Sequence, residues 1–357
     1  MTEVLLEELL DSDINWIAQR GHKRHFSANQ SIIQQGQPLD ACYILLTGSL
    51  VAAVADSLAT DPEMGQSLIQ FSPGEIVGET AFFRSTPFPM TIRAMQDCEV
   101  LELPYPAMQA RLSQDPAFAS RFYRAIAILL LQRFEQVLSK FSRRRGLQIS
   151  TVQDAPVFLG ELHDSDVDWM IEQGTVEEAI AHQVLIQAGR AVEKLYVVLS
   201  GELAVAATEQ KRSALNEIFS QLRGDENEPS GRQILRVSRG EIAGETALLN
   251  SRLSNFIVKA TVPSVLLSIP QPHLSLKLQQ DLAMGARFYR VLAILNADRL
   301  EAFIDRLGYT ATAYRVGQPL SSTVQYEDEL NLDTLDVVNV GGARFDWMLQ
   351  QLKVRGR

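Results

Sequence analysis

The sequence predicts an α+β chain, mainly β with flanking helices, built from two copies of one small barrel or sandwich. Three observations predict it. The first is an internal repeat, the pattern to look for before any other. Asp11-Ser12-Asp13, Trp16, Gly21, Gly36, Tyr43 and Gly48 recur as Asp164-Ser165-Asp166, Trp169, Gly174, Gly189, Tyr196 and Gly201, at a constant offset of 153 positions. From Gly74 and Gly240 onward the offset is 166, and it holds through Arg121-Phe122-Tyr123-Arg124 and Arg287-Phe288-Tyr289-Arg290. The second copy therefore carries an insertion of 13 residues, within Glu209 to Gln233. The second observation is a series of short apolar runs punctuated by glycine, which reads as strands of a sandwich or barrel. The third is a long apolar stripe at helical spacing that closes each copy.

The elements follow one order in both copies. A short helix opens each, Asp13 to Arg20 and Asp166 to Gln173, with Asp or Ser available as its cap. His22 and His25 come next and read as flanking an exposed loop. Strands are expected at Ser31 to Gln34, Ala41 to Leu46, Ser49 to Ala55, Leu68 to Phe71, Thr91 to Met95 and Glu99 to Leu103. Between Leu68–Phe71 and Thr91–Met95 lies a cassette, Gly74-Glu75-Ile76-Val77-Gly78-Glu79-Thr80-Ala81, repeated as Gly240-Glu241-Ile242-Ala243-Gly244-Glu245-Thr246-Ala247. It reads as a turn, a glycine at a close approach, and the first turn of a short helix. Glu and Thr at a helix start suit its free N–H groups and positive end, and the same groups can hold an anion such as phosphate. Gly78, Glu79, Thr80 and Ala81, with Gly244, Glu245, Thr246 and Ala247, are therefore the candidate ligand-binding residues.

In the closing helix of the first copy, Phe118, Phe122, Ile126, Leu130, Phe134, Leu138 and Phe141 form the stripe. Leu129, Leu131 and Val137 widen it beyond the face one barrel needs, so a second surface must cover it. Phe288, Leu292, Leu295, Phe303 and Leu307 form the second stripe. The resulting division is a first domain at 1–142, a linker at 143–156, a second domain at 157–308 and an acidic tail at 309–357. The tail is polar and acidic from Tyr309 to Val340 and reads as extended or partly disordered. It ends in a short helix, Phe345 to Gln351, that echoes Asp168 to Gln173.

Composition narrows the function classes. A formal charge of −10 argues against nucleic acid, and Leu307 to Arg357 offers no basic helix-turn-helix. Cys42 and Cys98, the two cysteines, sit in strand-like runs and read as buried thiols in a reducing compartment. The longest apolar run, Ala125 to Leu131, falls far short of a membrane span, and the first residues show no signal-peptide pattern, so a cytoplasmic protein is expected. No Gly-x-x-x-x-Gly-Lys loop, no metal-spaced Cys or His and no nucleophile motif appears, so neither a metal nor enzymatic activity is expected.

Gly36, Gly48, Gly74 and Gly78 with their partners, the cassette, and the strand ending in Val100-Leu101-Glu102-Leu103 together resemble the cyclic-nucleotide-binding domain family. The resemblance covers most of residues 11–142 and 164–308. It implies two jelly-roll barrels, a cassette glutamate on the ribose hydroxyl, cassette N–H groups on the cyclic phosphate, and an arginine ten residues after the cassette glycine to pair that phosphate. Here those two positions are Phe88 and Ser254, and Arg84 and Arg252 lie nearby but shifted. Arg252 and Ser254 complete the candidate set of the second copy. A charge-assisted hydrogen bond is worth about 1.5–3 kcal/mol, so at least ten-fold weaker binding of cyclic AMP is expected. Glu79 and Glu245 then either keep the ribose role or only tie down the cassette.

The resemblance also implies closing helices that pair across a two-fold homodimer, with Phe122, Ile126, Leu130 and Phe134 as its interface. The alternative is burial inside the chain against Leu292, Leu295 and Phe303. The tandem layout without a DNA-binding module further resembles a small bacterial family found beside bacteriocin-type peptide export genes. Two functions stand: an adaptor with ligand-free barrels that binds a protein partner, and a nucleotide receptor that signals through its long helices. No cofactor is expected beyond a cyclic nucleotide as the ligand to test. The missing arginine favours the adaptor.

Overall fold

The computed structural model describes residues 4–54, 66–83, 88, 90–140, 157–207, 232–249, 254–306 and 332–354. Phe141, Leu307, the expected linker, Arg84, Arg252 and nearly all of the 13-residue insertion region lie outside the described residues. The chain forms two compact units, one of residues 1–143 and 281–330, the other of residues 144–280 and 331–357. The units do not follow the repeat: the closing helix of the second copy belongs to the first unit, not to a block ending at 308.

The first unit begins with helices α1 (Val4–Glu8) and α2 (Asp11–Arg20). It continues through strands β1 (His22–Phe26), β2 (Ser31–Ile33), β3 (Ala41–Thr47), β4 (Leu50–Val54), β5 (Gln66–Phe71), β6 (Ile76–Val77), β7 (Thr91–Ala94) and β8 (Cys98–Pro104). The strands form two four-stranded antiparallel sheets, ordered β1-β8-β3-β6 and β2-β7-β4-β5. Ile33, Leu45, Leu50, Leu68, Ile69, Phe71 and Ile76 are buried to 2 % exposure or less and make the core. The segment at His22 and His25 is strand β1, not a loop: its backbone pairs with β8 while four of its five side chains stay exposed. A polar strand at a sheet edge carries no alternation to read. Helix α2 opens on Leu10 rather than on an Asp or Ser cap, and the buried Asp13 carboxylate accepts the Leu10 N–H at 3.1 Å.

Helices α3 (Tyr105–Gln114) and α4 (Pro116–Lys140) close the barrel. Against α4 lies α9 (Leu282–Arg306), the second copy's closing helix. Tyr123 hydrogen-bonds Arg290, the Arg124 guanidinium lies 5.9 Å from the Tyr289 ring, Asn296 Nδ2 donates to Ala127 O at 3.1 Å, and Phe134 meets Phe303 edge-on at 6.0 Å. These contacts advance together along both helices, so the two run parallel. Of the two ways to cover the wide stripe, the chain displays the internal one. Phe122, Ile126, Leu130 and Phe134, expected at a dimer interface, are all buried within this unit.

The second unit repeats the barrel. Helices α5 (Val157–Glu161) and α6 (Asp164–Gln173) precede strands β9 (Thr175–Ala179), β10 (Val184–Ile186), β11 (Lys194–Ser200), β12 (Leu203–Ala207), β13 (Arg232–Val237), β14 (Ile242–Ala243), β15 (Phe256–Ala260) and β16 (Ser264–Pro270). A short helix α7 (Thr246–Leu249) sits between β14 and β15, and α8 (Gln271–Gln280) follows β16. The sheets are ordered β9-β16-β11-β14 and β10-β15-β12-β13, and the register repeats too: Leu50 pairs with Ala94 as Leu203 pairs with Ala260.

Of the tail expected to be extended, residues 309–331 lie outside the described residues, and from Leu332 onward the structure differs from that expectation. Leu332–Gln351 is one helix, α10, packed on α5 and α6. A Cβ on Gly160 would fall 2.2 Å from Val337 O, so this glycine lets the two helix backbones touch. Arg344 donates to Leu159 O, Gly160 O and Asp164, and Trp347 Nε1 donates to Asp168 at 3.0 Å. The carbonyls at the end of short α5 supply acceptors that no local sequence pattern announces.

Candidate functional site

Each cassette folds as a turn, a two-residue strand, a left-handed glycine and one short helical turn. The first glutamate of each ties the turn: Ser72 N donates to Glu75 Oε2 at 2.6 Å, and Ser238 N to Glu241 Oε2 at 2.5 Å. Gly78 has φ +84° and Gly244 φ +93°, which favour glycine. At Gly244 a Cβ would also fall 2.5 Å from Lys194 O, the close approach expected of this position. The turn after Gly78 is a four-residue 3₁₀ helix, Glu79–Phe82, whereas Thr246–Leu249 is α-helical. Thr80 and Ala81 are half-buried, as are Thr246 and Ala247.

In the first unit, packing fixes the cassette to the closing helices. Tyr105 Oη donates to Gly78 O at 2.5 Å, and burial pushes the Tyr105 phenol far above its ordinary pKa. Phe82 meets Tyr105 at 4.9 Å and Phe122 at 5.7 Å, both edge-on. Glu79 is 2 % exposed, and its carboxylate is held by a residue that the stripe pattern conceals. Arg133 of α4, 4 % exposed, donates to Glu79 Oε1 and to Ile76 O, and its guanidinium lies 4.9 Å from the Phe71 ring. Arg133 was legible in one way only. It is a charged residue within an apolar helix face, and the repeat places Arg299 at the same position of the second closing helix.

The two positions where the resemblance implies an arginine lie in matching backbone frames. Gly36 N donates to Phe88 O at 2.9 Å, and Gly189 N to Ser254 O at 2.8 Å. The side chains differ. Phe88 is buried and lines a cavity with Ile69, Phe71, Met90 and Leu130 from the barrel and α4, and with Ala297, Leu300 and Ile304 from α9. Glu79, Arg133 and Glu301 are its charged walls. Its free volume is about 40 Å³, several times the roughly 10–15 Å³ one water needs. Ser254 is buried too, but its hydroxyl donates to Phe256 O at 2.8 Å and accepts from Phe256 N at 3.1 Å, so both its capacities are used locally. Glu245 is 4 % exposed. The structure thus brings Glu79, Thr80 and Phe88 to one cavity, while Ser254 is turned back onto its own strand.

Burial pushes the Cys42 thiol far above its ordinary pKa, and both cysteines are free and buried. Among the described residues no cluster of His, Cys, Asp or Glu could hold a metal, and no helix is long and apolar enough to cross a membrane.

The paired antiparallel sheets, repeated cassettes and flanking helices define a tandem barrel protein. The model of the cyclic nucleotide-binding domain matches residues 23–115 and 176–281, more than half of the chain, and the chain belongs to that family. An uncharacterized NTE family protein of Mycobacterium tuberculosis is 26 % identical over 128 residues, 36 % of this chain and 21 % of that protein. The match thus spans about a fifth of that relative's length. Among solved structures, the regulatory domain of Toxoplasma gondii protein kinase A with cyclic AMP is 14 % identical, covers 79 % of this chain and 89 % of its own, and has a TM-score of 0.27. A cyclic nucleotide-binding protein from Geobacter metallireducens is 16 % identical over 36 % of this chain and 90 % of its own, with a TM-score of 0.31.

Proposed function

We propose that this chain is a non-enzymatic regulatory adaptor whose barrels do not bind cyclic AMP tightly and which acts through protein partners. The observation that carries this reading is the Arg133–Glu79 pair. A guanidinium from the chain itself occupies the carboxylate that would meet a ribose, and Phe88 fills the place of the phosphate's counter-charge. An entering cyclic nucleotide would have to displace a buried ion pair and bring an anion to a wall holding Glu79 and Glu301. Breaking such a pair one-sidedly costs about 3–5 kcal/mol. The layout resemblance makes a component of a peptide exporter the first partner to try. The test is a thermal-melt panel of cyclic mono- and dinucleotides on the full chain. A ligand at 100 times its Kd adds about 2.7 kcal/mol, so a flat panel at millimolar ligand supports the adaptor, and a large shift with cyclic AMP overturns it.

A further inference from the structure

The opening helices of the two units match in sequence order but not in what covers them. Helix α1 (Val4–Glu8) corresponds to α5 (Val157–Glu161) at the offset of 153, and α2 to α6. In the second unit α10 packs on α5 and α6, and Leu159 and Val167 are fully buried. Their counterparts in the first unit are Leu6, 61 % exposed, and the half-buried Ile14; between them stands Leu10, 54 % exposed. The polar groups repeat this difference. Arg344 of α10 donates to Leu159 O, Gly160 O and Asp164, and Trp347 donates to Asp168. The first unit carries matching acceptors at Leu6 O, Glu7 O and the side chains of Asp11 and Asn15. Among the described residues no hydrogen bond is made to any of the four, and Leu10 N–H turns away to Asp13. One apolar stripe with its acceptors is thus covered in the second copy and bare in the first.

We propose that Leu6, Leu10 and Ile14 form the docking surface for an amphipathic, basic helix of a protein partner, whose arginine caps Leu6 O and Glu7 O and pairs with Asp11 as Arg344 does in the second unit. Exposed apolar residues rimmed by polar groups mark such sites, and a helix laid on its apolar face is a common way to fill them. Free carbonyls at the end of α1 and the exposed acids Glu7 and Asp11 select a cation. Glu7 also sets the occupant apart from α10. It stands where Gly160 lets Val337 O approach, and a Cβ there would fall 2.2 Å from that oxygen. A second copy's α10 therefore cannot take the same pose. The partner helix rides further out, with a second basic residue facing Glu7. This surface rests on the reading of the chain as an adaptor for protein partners, yet the two fail separately.

The probe is a labelled synthetic peptide of residues 332–354 carrying Val337→Lys, titrated against the full chain by fluorescence anisotropy. Saturable binding is expected, and Arg344→Ala in the peptide is expected to weaken it by about ten-fold, as loss of a charge-assisted contact allows. In the chain, Leu6→Ser combined with Leu10→Ser is expected to weaken it by about ten-fold or more, and Asp11→Asn by less. All three residues are exposed, so both variants should keep the circular dichroism of the unaltered chain. Absence of binding at millimolar peptide overturns the proposal. So does binding that the paired serine substitutions leave unchanged, which would place the peptide elsewhere, or binding indifferent to Arg344→Ala. A doubled mass in sedimentation of the chain alone, abolished by the serine pair, would give the surface to a second copy and overturn a separate partner. If the peptide fails while cyclic AMP gives no melting shift, the adaptor reading survives without this surface. If cyclic AMP binds tightly, that reading falls, whatever the peptide does.

Discussion

At Phe88 the first barrel sets an apolar ring against its cavity, whereas at the repeat-equivalent Ser254 the second barrel sets a hydroxyl that bonds its own strand through Phe256. Both sit in the same backbone frame, with a glycine N–H donating to their carbonyl. One scaffold position, where the family resemblance implies a cation, therefore carries two physically different side chains. In the first barrel bulk and the Arg133–Glu79 pair occupy the site. In the second, a small polar group is satisfied locally and leaves the frame intact. The backbone frame is common to both barrels, and the side chain within it differs.

Several substitutions sharpen or break this comparison. The largest effect is expected from Ile126→Glu combined with Leu130→Glu. Both residues are fully buried in the first unit, so the pair places unpaired charges in its core and costs several kcal/mol. Loss of near-native circular dichroism is expected; a folded protein that only changes its mass in sedimentation would show instead that these residues serve a contact between copies. Arg133→Met comes next. It strands the Glu79 carboxylate, and a loss of about 3–5 kcal/mol is expected in urea unfolding. Glu79→Gln in the same chain should restore part of it, because a neutral amide is less costly to bury.

A gain of function follows in size. Ser254→Arg is expected to strengthen cyclic AMP binding by about ten-fold or more, as one charge-assisted hydrogen bond allows. Phe88→Arg should gain less, because the Arg133–Glu79 pair still occupies its site. Equal gains in calorimetry would erase the distinction drawn between the barrels.

The smallest effect concerns the barrel edges. In the first barrel Arg24 pairs with Glu102 at 3.0 Å, and at the equivalent places of the second stand Glu177 and Ser268. Burial works against the Glu177 charge, but hydrogen bonds from Lys194 and Ser268 outweigh it and hold its carboxyl below the ordinary range. The bond to Glu177 raises the Lys194 amine above its own. A depressed carboxyl stabilises the fold above its unfolded pKa, and that contribution is lost as pH falls through the folded value. A raised amine stabilises below its unfolded pKa and loses that as pH rises through the folded value. Glu177→Gln is thus expected to cost at most about 1 kcal/mol near neutral pH, since both groups are roughly a third exposed. The difference should vanish in urea titrations below about pH 3.

Much of this architecture was legible because it is written twice. The offset of the glycines located both barrels, and positive φ at Gly36, Gly48, Gly74 and Gly78 and at their partners explains why those residues stand out. Three features were not legible. Strand β1 is polar on both faces and gives no alternation. Helix α10 begins at Leu332 within an acidic stretch and is held by tertiary contacts at Gly160 and Arg344 rather than by a local signal. The assignment of α9 to the first unit depends on which surface meets the wide stripe of α4, and periodicity shows a face without showing its partner. Arg133 was only partly legible, for the opposite reason: one charge within a strong apolar pattern reads as a tolerated exception until its buried partner, the Glu79 carboxylate, is seen.

The most direct measurement is isothermal titration of cyclic AMP into the unaltered full chain. No heat, or a Kd weaker than about 10 μM, is the expected result, because the missing phosphate partner alone removes at least a factor of ten. A submicromolar Kd at either barrel would contradict it, since neither Phe88 nor Ser254 can supply the charge that such an affinity demands.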